Sequence, residues 1–292
     1  MDVFAVKRYG GDKDSDPKHH HLSLVSHDAD GWSVISNGDL PFDTDEEVYG
    51  GSCRGLVYFA GRKGTFVVCN LTTRKWKVLP PPDNLSFSTP VIMEGCGLGY
   101  DPQSDDYKIL RYCFQYKLNE DEEDDSYNGV DSYTEVYSFK SGSWKDIETP
   151  GACVAHAPAL YHEGSCYWTA VLNDNFGGKD HHSGVDDHIL TFDLANESFG
   201  HLSFPYSSLA YDGQSRVFKY HGRLAALIHG RSTKPLHINF FQRREDIWEL
   251  LFDILLDHVS RPLGFGESRD GYILYLEGNG RELVAYNFKS NS

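Results

Sequence analysis

Apolar and aromatic residues recur along this chain in short runs, broken by Gly, Asp, Asn and Ser. GLVYF (55–59) is followed by the turn GRKG, then TFVVCN (65–70), the turn LTTR and KWKVLP (75–80). Runs of four to eight apolar-rich residues between turn signals predict strands, and three in succession predict an antiparallel meander. A second unit follows: GLGYD, the turn PQSD, YKILRYCF, an acidic stretch, TEVYSF, the turn KSGS and WKDIE. ALYHEGSCYWTAVL, HILTFDL and SFGHLSF, then RVFKYHGRLAALIH, LHINFF and IWELLFDI, and last GYILYLEGNGRELVAYNF, continue the pattern to the end. One stretch is ambiguous. In DIWELLFDILLDHV, Ile247, Leu250, Leu251, Ile254 and Leu255 also fit a helical period. The register of the repeat predicts a strand there.

That repeat has a measurable spacing. Strand ends at Asn70, Phe139, Asp193, Phe240 and Asn287 are 69, 54, 47 and 47 residues apart. The aromatics that open the next strand, Trp76, Trp144, Phe199 and Trp248, are 68, 55 and 49 apart. A period near 50 residues with four strands matches the blades of a β-propeller. The 292 residues then hold about six four-stranded blades, with five blades or an incomplete last blade as the alternatives, in one all-β, kelch-like propeller domain over 1–292. The recurrent outer-strand ring is expected to pack against the neighbouring blade, because each sheet has two faces to bury. Residues 1–20 are expected to be a flexible segment, or a strand (Val3 to Tyr9) that closes the last blade. Residues 117–132 read as an acidic loop insert.

Composition strengthens the β reading: 18 Tyr, 17 Phe, 5 Trp and 28 Gly against only 2 Met. The formal charge of −16 argues against nucleic acid and against anionic membrane surfaces, both of which require clustered Lys and Arg. No apolar run approaches the roughly 20 residues of a membrane helix. MDVFAVKRYGGDKDSD lacks the apolar core of a secretory signal. The expected setting is therefore cytoplasm, nucleus or both. Six cysteines at 53, 69, 96, 113, 153 and 166 contain no CxxC pair, and several lie in strand runs, so buried reduced thiols are expected. The sequons at Asn70, Asn84 and Asn196 are expected to be silent in that setting.

Catalytic chemistry leaves no diagnostic pattern. GxSxG, HExxH and GxxxxGK are absent. DKDSDP (12–17) begins like a calcium loop, but Pro17 takes the required Gly position. KDHHSGVDDH (179–188) gathers His and Asp without ligand spacing and reads as a solvated loop. No metal, cofactor or catalytic residue is assigned, and the chain is not expected to be an enzyme. The sharpest local feature is the acidic run Glu120, Asp121, Glu122, Glu123, Asp124 and Asp125. It reads either as a docking loop that steers a basic partner, with Tyr127 and Tyr133 as flanking anchors, or as a self-repelling loop without a role. Arg243 and Arg244 read as part of a turn.

Several stretches resemble the F-box-associated domain of plant F-box proteins, including the S-locus F-box proteins. They are SCRGLVYF (52–59), NLTTRKWKVLPPP (70–82), GLGYDPQSDDYKILR (97–111), EVYSFKSGSWKDIE (135–148), CYWTA (166–170), ILTFDLANESF (189–199) and LVAYNF (283–288). The resemblance implies a kelch-like propeller that recruits a target protein to a cullin-RING ubiquitin ligase. It also implies a Skp-type adaptor and a cullin as partners only where an F-box is supplied. Two positions depart from the family: Arg54, where Asn is usual, and Leu71, where Pro is usual. No F-box-like segment precedes the domain within these residues. Two alternatives stay open at this point: a propeller hydrolase or lyase acting at a central channel, and a truncated F-box gene product without ligase function.

Overall fold

The computed structural model describes residues 2–9, 20–28, 31–39, 48–61, 65–70, 72–73, 75–81, 91–118, 127–149, 153–154, 159–171, 188–204, 213–230, 236–257, 259–268, 271–278 and 283–287. Among them are strands and turns but no helix. The strands form six antiparallel sheets in sequence order. The first contains Asp2–Tyr9, His20–Asp28 and Gly31–Asp39. The second contains Val48–Cys53, Leu56–Gly61, Phe66–Asn70 and Lys75–Val78. The third contains Val91–Asp101, Asp106–Leu118, Tyr127–Ser138 and Ser143–Ile147. In the fourth, Cys153–Val154 and Leu160–His162 share one edge of Ser165–Val171, followed by His188–Asp193 and Ser198–Ser203. The fifth contains Gly213–Tyr220, Arg223–Gly230, Leu236–Arg244 and Ile247–Leu256. The sixth contains Val259–Ser268, Gly271–Gly278 and Leu283–Asn287.

The helix-like stretch is a strand, as the repeat register predicts, because its turn at Glu245–Asp246 returns it along Leu236–Arg244. Other expectations change. Asp2–Tyr9 pairs with His20–Asp28 and so opens its own sheet instead of completing the last one. Phe240 lies inside a strand, since this sheet turns after Arg244. The stretch 117–132 is partly strand: Lys117 and Leu118 pair with Gly129 and Tyr127. ALYHEGSCYWTAVL and RVFKYHGRLAALIH each fold as hairpins, turning at Glu163–Gly164 and His221–Gly222.

The chain divides into two compact units. One, Met1–Glu47 with Lys234–His237 and Leu255–Ser292, carries the first and sixth sheets. The other, Val48–Thr233 with Ile238–Ile254, carries the second to fifth. Within this larger unit the middle strands use the two-residue period to bury both faces, whereas the fourth strands of the sheets stay largely exposed. Ile109, Cys113 and Tyr137 pack with Tyr58, Phe66 and Val68 of the second sheet. Their chain neighbours Leu110, Tyr112 and Val136 pack with Cys166, Trp168 and Phe192 of the fourth. Ile189 and Phe204 continue the series against Ala226, Ile228 and Phe241 of the fifth.

Three of the four outer-strand aromatics do what their spacing predicts; Trp76 is 42% exposed, with its ring 6.3 Å from Phe59 of its own sheet. Trp144 of the third sheet donates Nε1–H to the Pro80 carbonyl of the second at 2.8 Å, with its ring 5.3 Å from Phe66. Trp248 of the fifth donates to the Ser203 carbonyl of the fourth at 2.9 Å. Phe199 lies against the core between the third and fourth sheets.

The inner strands approach closely enough to require glycine. A Cβ on Gly97 would lie 2.7 Å from the Ala159 Cβ and 2.9 Å from Trp168. Gly97→Val is therefore expected to destabilise the domain by about 1–3 kcal/mol through overpacking. Trp144→Phe, which keeps a ring but loses one hydrogen bond, is expected to cost about 1 kcal/mol. Urea midpoints of the two variants check both. Equal stability of Gly97→Val and the parent protein would show that the inner strands have room to move apart.

Candidate protein-recognition surface

Strand order separates two kinds of connection in the larger unit. First-to-second and third-to-fourth strand connections lie at one end of each sheet and span two or four residues: 54–55, 71–74, 102–105, 139–142, 163–164, 194–197, 221–222 and 245–246. Second-to-third strand connections lie at the opposite end: 62–65, 119–126, 172–187 and 231–235, or four, eight, sixteen and five residues. Variation is concentrated at that second end.

The tight-turn end is satisfied internally. Asn70, Asp101 and Asp193 each accept backbone N–H groups two and three residues ahead, as Asx turns do. Arg54 and Gly55 have φ of 46° and 84°, the signs of a type I′ hairpin turn, in which Asn usually precedes Gly. Arg54 fills the Asn position and lays its guanidinium over the Tyr100 ring of the next sheet at 4.1 Å. Leu71, the other departure from the family pattern, lies outside the described residues.

A charged clasp joins the third and fourth sheets at this end. Lys108, 8% exposed, donates Nζ–H to the Leu194 carbonyl at 2.6 Å and to Glu197 at 3.0 Å, and lies 3.2 Å from Asp101. Lys145 also reaches Glu197, at 2.6 Å. Burial opposes ionisation of Asp101, but hydrogen bonds from Ser104, the Gln103 N–H and Lys108 outweigh it and hold the carboxyl below its ordinary 3.8. Glu197 is likewise held below 4.5, with Lys145 and Lys108 outweighing its burial. Burial also opposes the Lys108 charge, yet Glu197 and Asp101 raise it above 10.5. The GYDPQSDDYK stretch thus fastens one sheet to the next. A Lys inside an apolar strand run was the signal in the sequence, and its partner 89 residues away was not visible there.

The other end carries the acidic segment on a hairpin arm. In the third sheet Asp106–Leu118 pairs with Tyr127–Ser138 along its length. The inner strand stops opposite Gln115 and the outer strand opposite Thr134. Among the described residues Tyr116–Leu118 and Tyr127–Val130 therefore pair with each other alone, as a two-stranded extension leading to 119–126. Glu120, Asp121, Glu122, Glu123, Asp124 and Asp125 lie outside the described residues, between these strand ends. Tyr127 is opposite Leu118 at the far end of the arm. Tyr133 is at its base, half-buried against the core, and its hydroxyl accepts from Arg111 Nη2 at 3.3 Å. Burial, then the neighbouring Cys113, pushes the Tyr133 phenol up. Beneath it Arg111 and Glu135 are paired at 2.9 Å with side chains 1% and 2% exposed, a buried couple that sequence reading missed. In the 179–188 stretch only His188 is described, edge-on to His201 at 6.3 Å.

The five cysteines whose side chains are described are buried and form no disulfide. Burial pushes the Cys53 and Cys96 thiols up to about 12 and Cys113 to about 11, so they are packing groups and not nucleophiles. On the described inner strands stand Gly50, Gly51, Ser52, Gly95, Gly97 and Gly99. No group of three His, Cys, Asp or Glu that could hold a metal occurs among the described residues.

Antiparallel meanders that bury both faces on successive neighbours, with glycine-lined inner strands, define a β-propeller. A solved structure described as the structure of YjhT shares the fold at a TM-score of 0.53 and 12% identity, over 97% of this chain and 98% of that one. The chain belongs to the F-box associated beta propeller domain family, which matches residues 34–255. It is 32% identical over 295 residues to F-box protein CPR1 of Arabidopsis thaliana, covering 92% of this chain and 68% of that protein. It is 24% identical over 193 residues to a second F-box protein of Arabidopsis thaliana, covering 65% of this chain and 48% of the relative. The chain thus spans about two thirds of the first of these relatives and about half of the second.

The clasp implies a pH dependence. Asp101 and Glu197 titrate below their ordinary values in the fold, so between the folded and ordinary pKa the unfolded chain binds more protons. Their contribution is complete above the ordinary values and lost as pH falls through the folded ones. His162, held below 6.5 chiefly by burial, acts with the same sign at higher pH: stability begins to fall as pH drops through 6.5. Lys108→Met is expected to cost about 2–4 kcal/mol at neutral pH, because it takes the cation away from Asp101, which keeps only its own turn's hydrogen bonds, and from Glu197, which keeps Lys145. It should also flatten the acid limb below pH 5, and urea midpoints from pH 3 to 7 test this. An unchanged acid limb would remove the clasp from the account.

Proposed function

We propose that this chain is the target-recruiting part of an SCF-type, cullin-RING ubiquitin ligase, and that it binds a protein without performing chemistry on it. Membership of the F-box associated beta propeller family carries this reading, and the relatives named above are F-box proteins. A Skp-type adaptor and a cullin join it through an F-box when one is attached. The hairpin arm of the third sheet is the recognition element. Its acidic run, Glu120 to Asp125, attracts a basic target, and Tyr127 and Tyr133 contribute aromatic contact at the two ends of the arm. Short turns recurring at one end and connections of varied length at the other support placing specificity at the varied end, where sequence changes leave the packed sheets untouched. Nucleic acid and membrane are not partners in this reading. The setting is cytoplasm or nucleus, where free thiols such as those of the five buried cysteines persist.

Two experiments separate the layers. The chain fused behind an F-box is expected to co-purify with a Skp-type adaptor, whereas residues 1–292 alone are not. Adaptor binding by 1–292 would overturn the division of labour. For the arm, Glu120 to Asp125 are replaced by Gln and Asn in the fused protein. A target captured by the parent is expected to lose at least tenfold in affinity, and the parent's own affinity should fall as salt rises past 0.2 M. Equal capture by the neutralised variant would move recognition elsewhere on the propeller.

A further inference from the structure

We propose that the buried Arg111–Glu135 pair is a register lock for the hairpin arm. The two residues are direct partners across Asp106–Leu118 and Tyr127–Ser138. Arg111 Nε faces Glu135 Oε2 at 2.9 Å without the in-line geometry of a hydrogen bond, so the attraction is coulombic. Their flanking partners on the same face are Ile109 with Tyr137 and Cys113 with Tyr133, all packed in the core shared with the second sheet. On the opposite face Leu110 pairs with Val136, and Tyr112 with Thr134.

This apolar pattern rejects a slip of one residue, which would exchange the two faces. It rejects a slip of two less firmly, because every residue then keeps its face and the cost on the far face is Thr134 or Ser138 at the place of Val136. The connection does not set the register either, because 119–126 has eight residues, and a loop of that length lacks the defined geometry of a two-residue hairpin turn. The charged pair breaks the degeneracy. A two-residue slip would put Arg111 opposite Tyr133 and Glu135 opposite Ile109, or Arg111 opposite Tyr137 and Glu135 opposite Cys113, and so would separate two buried opposite charges from each other. Such a slip would also move residues 119–126 by about 7 Å along the arm. At the tight-turn end Asp106 accepts from Ser138 Oγ and the Lys140 N–H. That second contact lies next to a turn and provides the rival explanation for the register.

The proposal stands whether or not the acidic segment is the recognition element. Its test uses the full chain with cysteine pairs placed on the arm. Gln115→Cys with Asp131→Cys reports the observed register, in which 115 and 131 are partners. Gln115→Cys with Gly129→Cys reports the two-residue slip. Each pair is oxidised with glutathione disulfide, and the cross-link is located by peptide mapping. With Arg111 and Glu135 intact, only the first pair should close. In an R111M/E135L background both should close, with the yield of the first falling at least twofold. In the exchanged background R111E/E135R the first alone should close again. Closure of only the first pair in R111M/E135L would assign the register to Asp106 and overturn the proposal. Failure of either double variant to fold would assign the pair to cohesion and overturn it equally.

Discussion

Everything in the larger unit depends on sheets that bury both faces at once. A strand whose odd residues pack to one neighbour and whose even residues pack to the next has no solvent face to spare. Ile109 and Leu110 are adjacent in the chain and belong to different cores. Ile189 and Leu190 repeat the arrangement one sheet later. This explains the near-continuous apolar runs in place of a clean polar–apolar alternation. It also explains the glycines of the innermost strands, where neighbouring backbones come closest.

Charge inside such an arrangement is used sparingly and placed where geometry needs defining. Lys108 spans from one sheet to the carbonyl and carboxylate of the next, and Asp101 anchors both its own turn and that Lys. Arg111 and Glu135 are more deeply buried, and each would be costly without the other. Paired buried charges contribute little net stability against apolar replacements of the same size. Their value is that only one arrangement satisfies them. The acidic run is different in kind: six of the 43 acidic side chains fall in 120–125, in the connection between the paired strand ends Leu118 and Tyr127.

The fold class was legible because its determinants are local and repeated. Turn residues, short apolar runs and an aromatic six residues after a strand end recur at Asn70–Trp76 and Asp193–Phe199, and each element could be read without its neighbours. The pattern misleads where one unit departs from the repeat. It puts a strand end at Phe240 because the fifth sheet turns with two residues where the second to fourth use four. It predicts a loop over 117–132 because EDEEDD outweighs the β-forming Tyr127, Val130 and Tyr133 beside it. The HEG and YHG hairpin turns carry an X-Gly signal that the longer apolar stretches around them mask.

By itself the sequence determined an acidic, all-β chain of repeated four-strand units, its outer-strand rings and its family, since these follow from residue types at near-neighbour spacing. The tertiary structure decided which charges meet. Lys108 and Glu197, and Arg54 over Tyr100, are pairs between sheets whose separation in the chain carries no information about contact. It also decided that the third hairpin projects beyond its sheet, because that depends on where the flanking strands stop. Local propensity dictates strands and turns, but the partner of a buried charge is chosen only when two sheets close on each other and exclude the water that would otherwise serve it.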